Sequence, residues 1–447
     1  MIFALALAAA ATLATTARAA PLKTAPVLNP VASDTVVYTV KHRDTLYGLC
    51  EKYIVAPKRW TALQKLARVG DPHFLPIGRV MVIPRDWLKY KLEPAQLASY
   101  RGTIDIQSGG RHTAPVAGMM IAEGTEITTA PNSFATLILT DRSKVAIPSN
   151  SKVTVVQLRR IILTGAIDYR VTVGRGKLET RVTPLDNPQG RYRIGTPISM
   201  TAVRGTEFRV AFDGDHDTAA AEVLGGTVAV SPAKGGTATP VEHGFGASTD
   251  RAGDSKVEPL LPAPDLTDPG KVQTNDTVEF HANPIPGAVR YHVIVATDAG
   301  FVGNIAERTA DTPEFSLTDI PNGNQFARVS AIAASGLEGL AQSYGFRRTL
   351  ASIHGEARQE PDGFRFRWFG AGAGKRLYRF QMMVGAPESA PILDEVGLTR
   401  TEVMVNTLPA GVYYWRVGLT QIDESGEIST WTDLEKLTIA GPGRGGK

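Results

Sequence analysis

Residues 320 to 329, IPNGNQFARV, return in altered form as residues 408 to 417, LPAGVYYWRV, at an offset of 88 residues. The same offset carries Phe280 onto Trp368, and Tyr291 lands within one residue of Tyr378. Spacing of this kind predicts two β-sandwich domains of about ninety residues each, over 262–350 and 351–440. Trp368, Tyr378, Tyr414 and Trp415 recur at strand spacing and read as core, with a carbohydrate platform as the other use of such side chains.

Two domains account for less than half of 447 residues. Single cores stop growing near about 250–300 residues, so the remainder is expected to divide as well. Charge divides it too. Lys and Arg exceed Asp and Glu by 6 over residues 36–90 and by 7 over 101–212, whereas acids exceed bases by 10 over 213–447. The net +4 hides a basic front and an acidic back, which is either ordinary surface charge or a layout suited to an anionic polymer at one end. Cys50 is the sole cysteine, so no internal disulfide staples the fold.

The N-terminal stretch MIFALALAAAATLATTARAA is small and apolar and ends in Ala17-Arg18-Ala19, the pattern of an export signal cleaved near Ala19. Residues 20–35, rich in Pro, Ala, Ser and Thr, read as a linker. No later run reaches the roughly 18–20 apolar residues of a membrane-spanning helix. The expected location is the periplasm or another exported, cell-wall-associated compartment.

VVYTV reads as a strand. DTLYGLCEKYIV reads as a helix with Asp44 as N-cap and Leu46, Leu49, Cys50 and Tyr53 on one face. PKRWTALQKLARV gives a second helix, with Pro57 in its first turn and Trp60, Leu63 and Leu66 on one side. DPHFLPIGRVMVIP adds a turn and a strand, which makes strand, helix, helix, strand within residues 36–90.

In order, Tyr38-Thr39-Val40, Asp44-Thr45-Leu46, Leu75-Pro76-Ile77-Gly78 and Val82-Ile83-Pro84 resemble a LysM domain, a small α+β module that binds N-acetylglucosamine-containing glycans such as peptidoglycan. The resemblance implies a glycan groove formed by Asp44, Thr45, Leu46 and Tyr47 together with Pro72, His73, Phe74, Leu75, Pro76, Ile77 and Gly78. There, backbone groups would hydrogen-bond acetamido groups while apolar side chains pack on sugar faces. Two positions depart from the family pattern: Arg43 stands where Gly usually precedes Asp-Thr-Leu, and Ala67 where Asn usually follows the second helix. Cys50 then belongs to the inward face as a small apolar residue, with no motif supplying the base a nucleophilic thiol needs. LysM modules often accompany cell-wall transpeptidases with a catalytic cysteine, but no cysteine follows residue 50.

From Arg101 onward strands dominate. ATLILTDRSKVAI alternates Ala135, Leu137 and Leu139 with Val145 and Ile147 around the turn Thr140-Asp141-Arg142-Ser143, predicting a hairpin with one buried face. Recurring turn signals up to residue 250 suit a sandwich, a barrel-like or a solenoidal β domain over 100–250. Gly102-Thr103-Ile104, Gly118, Gly124, Gly174-Arg175-Gly176-Lys177-Leu178 and IGTPISMTAVRGTEFRV resemble the FecR-type domain, with Arg142 where that family commonly has Gly. Gly205 is expected to supply a backbone geometry other residues avoid, and Phe208, Val210 and Phe212 to point inward. Arg204 would meet either an acid within the domain or a partner. FDGDHDT places Asp213, Asp215 and Asp217 around His216, but a calcium loop needs about six to eight oxygens and a distal acid. A polar hairpin tip is the expectation.

Leu260 to Pro264 reads as a proline-rich linker, and GPGRGGK at the C-terminus as disordered. The two repeats resemble fibronectin type III domains, with other Ig-like sandwiches open. The expected fold is therefore multidomain and mainly β: a βααβ LysM module, an all-β FecR-type domain and two Ig-like β-sandwiches. The expected function is a non-catalytic, peptidoglycan-binding envelope protein whose later domains meet another envelope component. A periplasmic sensory or regulatory component is the alternative that the FecR resemblance implies. A cell-wall hydrolase would need two carboxylates about 5–10 Å apart across a cleft, and no pair stands out. No catalytic residue, cofactor, metal site or nucleic-acid partner is expected.

Overall fold

The computed structural model describes residues 34–57, 59–270, 272–423 and 426–440. The export signal, nearly all of the linker after it and the C-terminal GPGRGGK lie outside the described residues. Among the described residues, no helix is long and apolar enough to cross a membrane.

Strand β1 (Thr35–Thr39) pairs antiparallel with β2 (Val80–Pro84), and helices α1 (Leu46–Tyr53) and α2 (Trp60–Ala67) lie between them in sequence. Val36 and Tyr38 of β1 and Met81 and Ile83 of β2 pack inward on Leu46, Leu49 and Leu63. Thr45, not Asp44, caps α1: its hydroxyl accepts the Gly48 amide at 3.0 Å. Asp44 braces the preceding turn instead, accepting from the Tyr38 hydroxyl and the Lys41 amide at 2.7 Å each. On α2 the inward stripe is Trp60, Leu63 and Ala67, spaced three then four residues apart, so Leu66 turns outward. Pro57 precedes that helix, whose cap is Arg59. Ile161, from the following domain, completes this small core.

Arg43 and Arg142, the two arginines at positions where glycine was expected, have φ of 70° and 69°. Both turns keep a glycine geometry without glycine. The second is closed by the Arg142 amide on the Leu139 carbonyl and the Leu139 amide on the Ser143 carbonyl, each at 2.8 Å. Left-handed backbone costs a side-chain-bearing residue about 1–2 kcal/mol, and glycine returns part of that through its looser unfolded state. Arg43→Gly and Arg142→Gly should therefore each stabilise the protein by about 0.5–1 kcal/mol. A higher urea midpoint at unchanged slope would show it.

From Tyr90–Leu92 to Ser255–Pro259 the strands pair into a closed barrel. The long strand Ile167–Arg181 serves two ladders. Its first half pairs with Lys152–Ile161 and Arg191–Gly195, its second with Lys144–Ile147 and Glu207–Asp213. The changeover falls at Gly176, where φ is +76° and a Cβ would lie 2.5 Å from the Asn150 carbonyl oxygen. Leu137, Val145, Leu178, Phe208 and Val210 meet Val155 and Tyr169 in one interior. The hairpin of Phe134–Ile138 and Lys144–Ile147 forms as the alternation predicted. FDGDHDT is the tip between Glu207–Asp213 and Thr218–Gly225, with His216 Nδ1 2.7 Å from Asp213 Oδ2.

Two two-sheet sandwiches follow. In the first, Val278–His281 and Glu314–Leu317 cover a sheet ordered Asn304–Ala310, Ala288–Ala296, Gly323–Ala333, Glu338–Arg348. In the second, Ile353–Glu360, Gly363–Gly370 and Glu402–Val405 cover a sheet centred on Lys375–Val384 and Gly411–Asp423. The repeated segments lead into equivalent central strands, Gly323–Ala333 and Gly411–Asp423. Phe280, Tyr291, Trp368, Tyr378 and Trp415 are buried. Tyr414 is not: alternation from Trp415 directs Tyr413 and Val417 inward and leaves Tyr414 on the opposite face. The stretch at Leu260 is docked rather than loose, since its amide bonds the Gly244 carbonyl and the Leu261 carbonyl takes the Leu340 amide, both at 2.8 Å.

Candidate glycan-binding site

β1 and β2 keep pairing past their ends. The Val40 amide donates to the Arg79 carbonyl and the Gly78 amide to the Val40 carbonyl, both at 2.9 Å. The segments that follow Val40 and precede Arg79 therefore leave the sheet side by side. They carry the residues expected to meet a glycan. Tyr47, Phe74 and Ile77 are 66%, 67% and 67% exposed, a high value for large apolar side chains. Thr45 and His73 are exposed, Asp44, Pro72, Leu75 and Pro76 half-buried, and Gly78 holds φ at +80°. Leu46 is 1% exposed, so only its backbone faces this end. The amides of the first turn of α1 have no partner within the helix and point out of its N-terminal end.

The end of α2, where Asn was expected, is organised differently. Ala67 is buried, and its carbonyl accepts from Arg79 Nε and Nη2 at 3.1 and 2.9 Å. Arg79 also donates to the Arg68 carbonyl at 2.9 Å, while the Gln64 side-chain amide donates to the carbonyls of Val69 and Gly70 at 3.1 Å each. Arg79 was missed in the sequence; its signal was a basic residue directly after the Pro-Ile-Gly turn, twelve residues beyond the helix end it closes. Cys50 is half-buried against the module core, and burial pushes its thiol up, with Lys89 opposing. A raised thiol disfavours the thiolate, which is the nucleophilic form of cysteine.

The module docks on the barrel through other residues. Gln189 accepts the Val37 amide at 2.7 Å and donates to the Val37 carbonyl at 2.8 Å. Arg85 donates to the Gln189 carbonyl and lies 3.9 Å from Asp168, and Arg191 pairs with Asp34 at 3.0 Å. Docking leaves Tyr47, Phe74 and Ile77 open to solvent.

A second polar constellation lies between the barrel and the first sandwich. Glu338 of the sandwich takes Arg209 Nη1 at 2.9 Å and Lys177 Nζ at 2.8 Å from the barrel, and His292 Nδ1 at 3.0 Å and the Ser330 hydroxyl at 2.6 Å from its own side. Arg209 also pairs with Glu222 at 2.8 Å, and Arg328 grips Glu179 with two 2.7 Å bonds. Burial alone would raise Glu338, but Arg209, Lys177 and His292 hold it well below the ordinary carboxylate value. Beside this cluster Phe301 is buried under the Arg328 guanidinium, its carbonyl held by Lys144 at 2.7 Å.

Gly205 has φ +83°, and a Cβ there would lie 2.6 Å from Pro184 Cα. Its neighbour Arg204 reaches the Leu185 carbonyl at 3.5 Å rather than a carboxylate. Among the described residues, no group of three or more His, Cys, Asp or Glu is placed to hold a metal.

The fold is thus that of a mainly β, multidomain protein with one small α+β module at its described N-terminal end. Residues 38–84 match the LysM domain family and residues 125–229 the FecR protein family, so the chain carries one domain of each kind. No curated protein matches it. A crystal structure of a Parabacteroides distasonis protein assigned as an anti-sigma factor is similar at 14% identity and TM-score 0.25, covering 30% of this chain. The chain spans 59% of that structure's length. The fibronectin(III)-like modules of Clostridium thermocellum CbhA are similar at 11% identity and TM-score 0.18, covering 40% of this chain and 94% of theirs. At such scores neither likeness bears on function.

Proposed function

We propose that the chain is a non-catalytic envelope protein that holds peptidoglycan through its LysM domain and presents the barrel and sandwiches to another envelope component. The observation that carries this reading is the trio Tyr47, Phe74 and Ile77, exposed on adjoining segments of a domain whose family implies glycan binding. Sugar rings stack on such surfaces while backbone amides take the acetamido carbonyls. Export to the periplasm, the division into domains at 36–90, 100–250, 262–350 and 351–440, and a fibronectin type III assignment for the sandwiches are part of the same reading. The FecR match favours one second reading, a sensory or regulatory component acting through a partner.

Titration of the whole chain with an N-acetylglucosamine oligomer, followed by intrinsic fluorescence, tests the first reading. Tyr47→Ala and Phe74→Ala should each weaken binding about tenfold, the loss of one aromatic platform. Equal affinity in both variants would remove these segments from the site.

A further inference from the structure

A cleft of about 590 Å³ opens where the barrel meets the first sandwich. That volume falls within the roughly 300–1,000 Å³ of small-ligand sites, and junctions between domains are where such sites concentrate. The barrel contributes Arg175 and Lys177 to its lining, and the sandwich contributes Arg290 from the facing wall. The side chains of Arg175 and Arg290 are exposed and make no hydrogen bond or ion pair among the described residues. Lys177 holds Glu338, yet its side chain stays 35% exposed to the cleft. Two acids of the exposed hairpin tip also line the cleft: Asp213 accepts the Asp215 amide at 3.0 Å and faces His216 at 2.7 Å, while the Asp215 carboxylate makes no ion pair among the described residues. Among the uncommitted charges of the cleft, the two arginines, one from each wall, outnumber the single carboxylate of Asp215.

We propose that this cleft binds a carboxylate-bearing ligand held between Arg175 of the barrel and Arg290 of the first sandwich. Guanidinium groups grip carboxylates through paired N–H donors, so two arginines from facing walls favour a ligand with more than one carboxylate. Such a ligand touches both domains at once and therefore stabilises only their docked arrangement. Acidic peptides and acidic sugars share this chemistry. The site is separate from the glycan face of the LysM domain, and its failure would leave that reading untouched.

Isothermal titration of the whole chain with a triglutamate peptide and with trigalacturonate tests it. At least one probe should bind saturably, more weakly at higher salt. Arg175→Gln and Arg290→Gln should each lower the affinity about tenfold. Arg400→Gln, the same charge change in the second sandwich where Arg400 pairs with Glu395, should leave it unchanged. The tighter probe identifies a peptide or a saccharide source. Absence of binding by both probes, equal weakening in all three variants, or unchanged affinity in both cleft variants would overturn the proposal.

Discussion

Replacing Glu338 by Gln is expected to destabilise the joint between barrel and first sandwich by about 3–5 kcal/mol, the loss seen when one partner of a buried ion pair is removed. Four carboxylates, Glu179, Glu222, Glu307 and Glu338, face Lys177, Arg209, Arg328 and His292 there, with Lys144 close to Glu179. Glu338→Gln leaves Arg209, Lys177 and His292 around a neutral amide in a site that is 4% exposed. Loss of hydrogen-exchange protection across Glu338–Arg348 and Glu207–Asp213, beyond that in the rest of the barrel, would report it.

A pH dependence accompanies this change. Burial alone would push the His292 imidazole down, but Glu338, with Glu307 nearby, outweighs it and holds the group up at about 9. A raised folded-state pKa means that the stabilisation is complete below the unfolded value of about 6.5 and is lost as pH rises through the folded one. The wild-type joint should therefore weaken between about pH 6.5 and 9, and Glu338→Gln should flatten that slope. An identical slope in both proteins would assign the effect elsewhere.

The second large effect concerns Gly205→Val. A β-branched side chain at φ +83° is strained wherever it has room, and here its Cβ would lie 2.6 Å from the backbone Cα of Pro184. Strain and overpacking together should cost on the order of 3 kcal/mol or more. Arg204→Ala removes only a 3.5 Å contact to a carbonyl and should stay within about 0.5 kcal/mol of wild type. Chemical denaturation of the whole chain separates the two. A Gly205→Val protein as stable as wild type would mean that this turn relaxes freely, and would reopen the segment as a contact surface.

Features fixed by local patterning were legible before the structure. Alternation placed Leu137, Val145, Phe208 and Val210 inward, and the 88-residue offset located matching central strands at Gly323–Ala333 and Gly411–Asp423. Where competing local choices existed, the reading slipped by one residue. Asp44 and Thr45 are both good caps, and the cap fell on Thr45 because Asp44 was needed by Tyr38 and Lys41. Ala67 replaced Leu66 on the inward stripe because helical spacing, rather than side-chain size, sets the face. What depends on tertiary partners left no trace in sequence. Arg209 and Glu338 are 129 residues apart, and each alone reads as a solvated surface charge. The candidate glycan face lies between these cases: the motif order pointed to its segments, but the exposure of Phe74 and Ile77 and the burial of Leu46 emerge only from the packed module.

Peptidoglycan anchoring is tested most directly by sedimenting the whole chain with purified sacculi. Moderate salt is essential, because residues 36–90 carry an excess of 6 positive charges and attraction between exposed charges is screened within about 10 Å at 0.1 M. The chain should pellet under these conditions, and a variant carrying both Tyr47→Ala and Phe74→Ala should remain largely in the supernatant. A wild-type chain that stays in solution at moderate salt, or a double variant that pellets as fully as the wild type, would contradict the account.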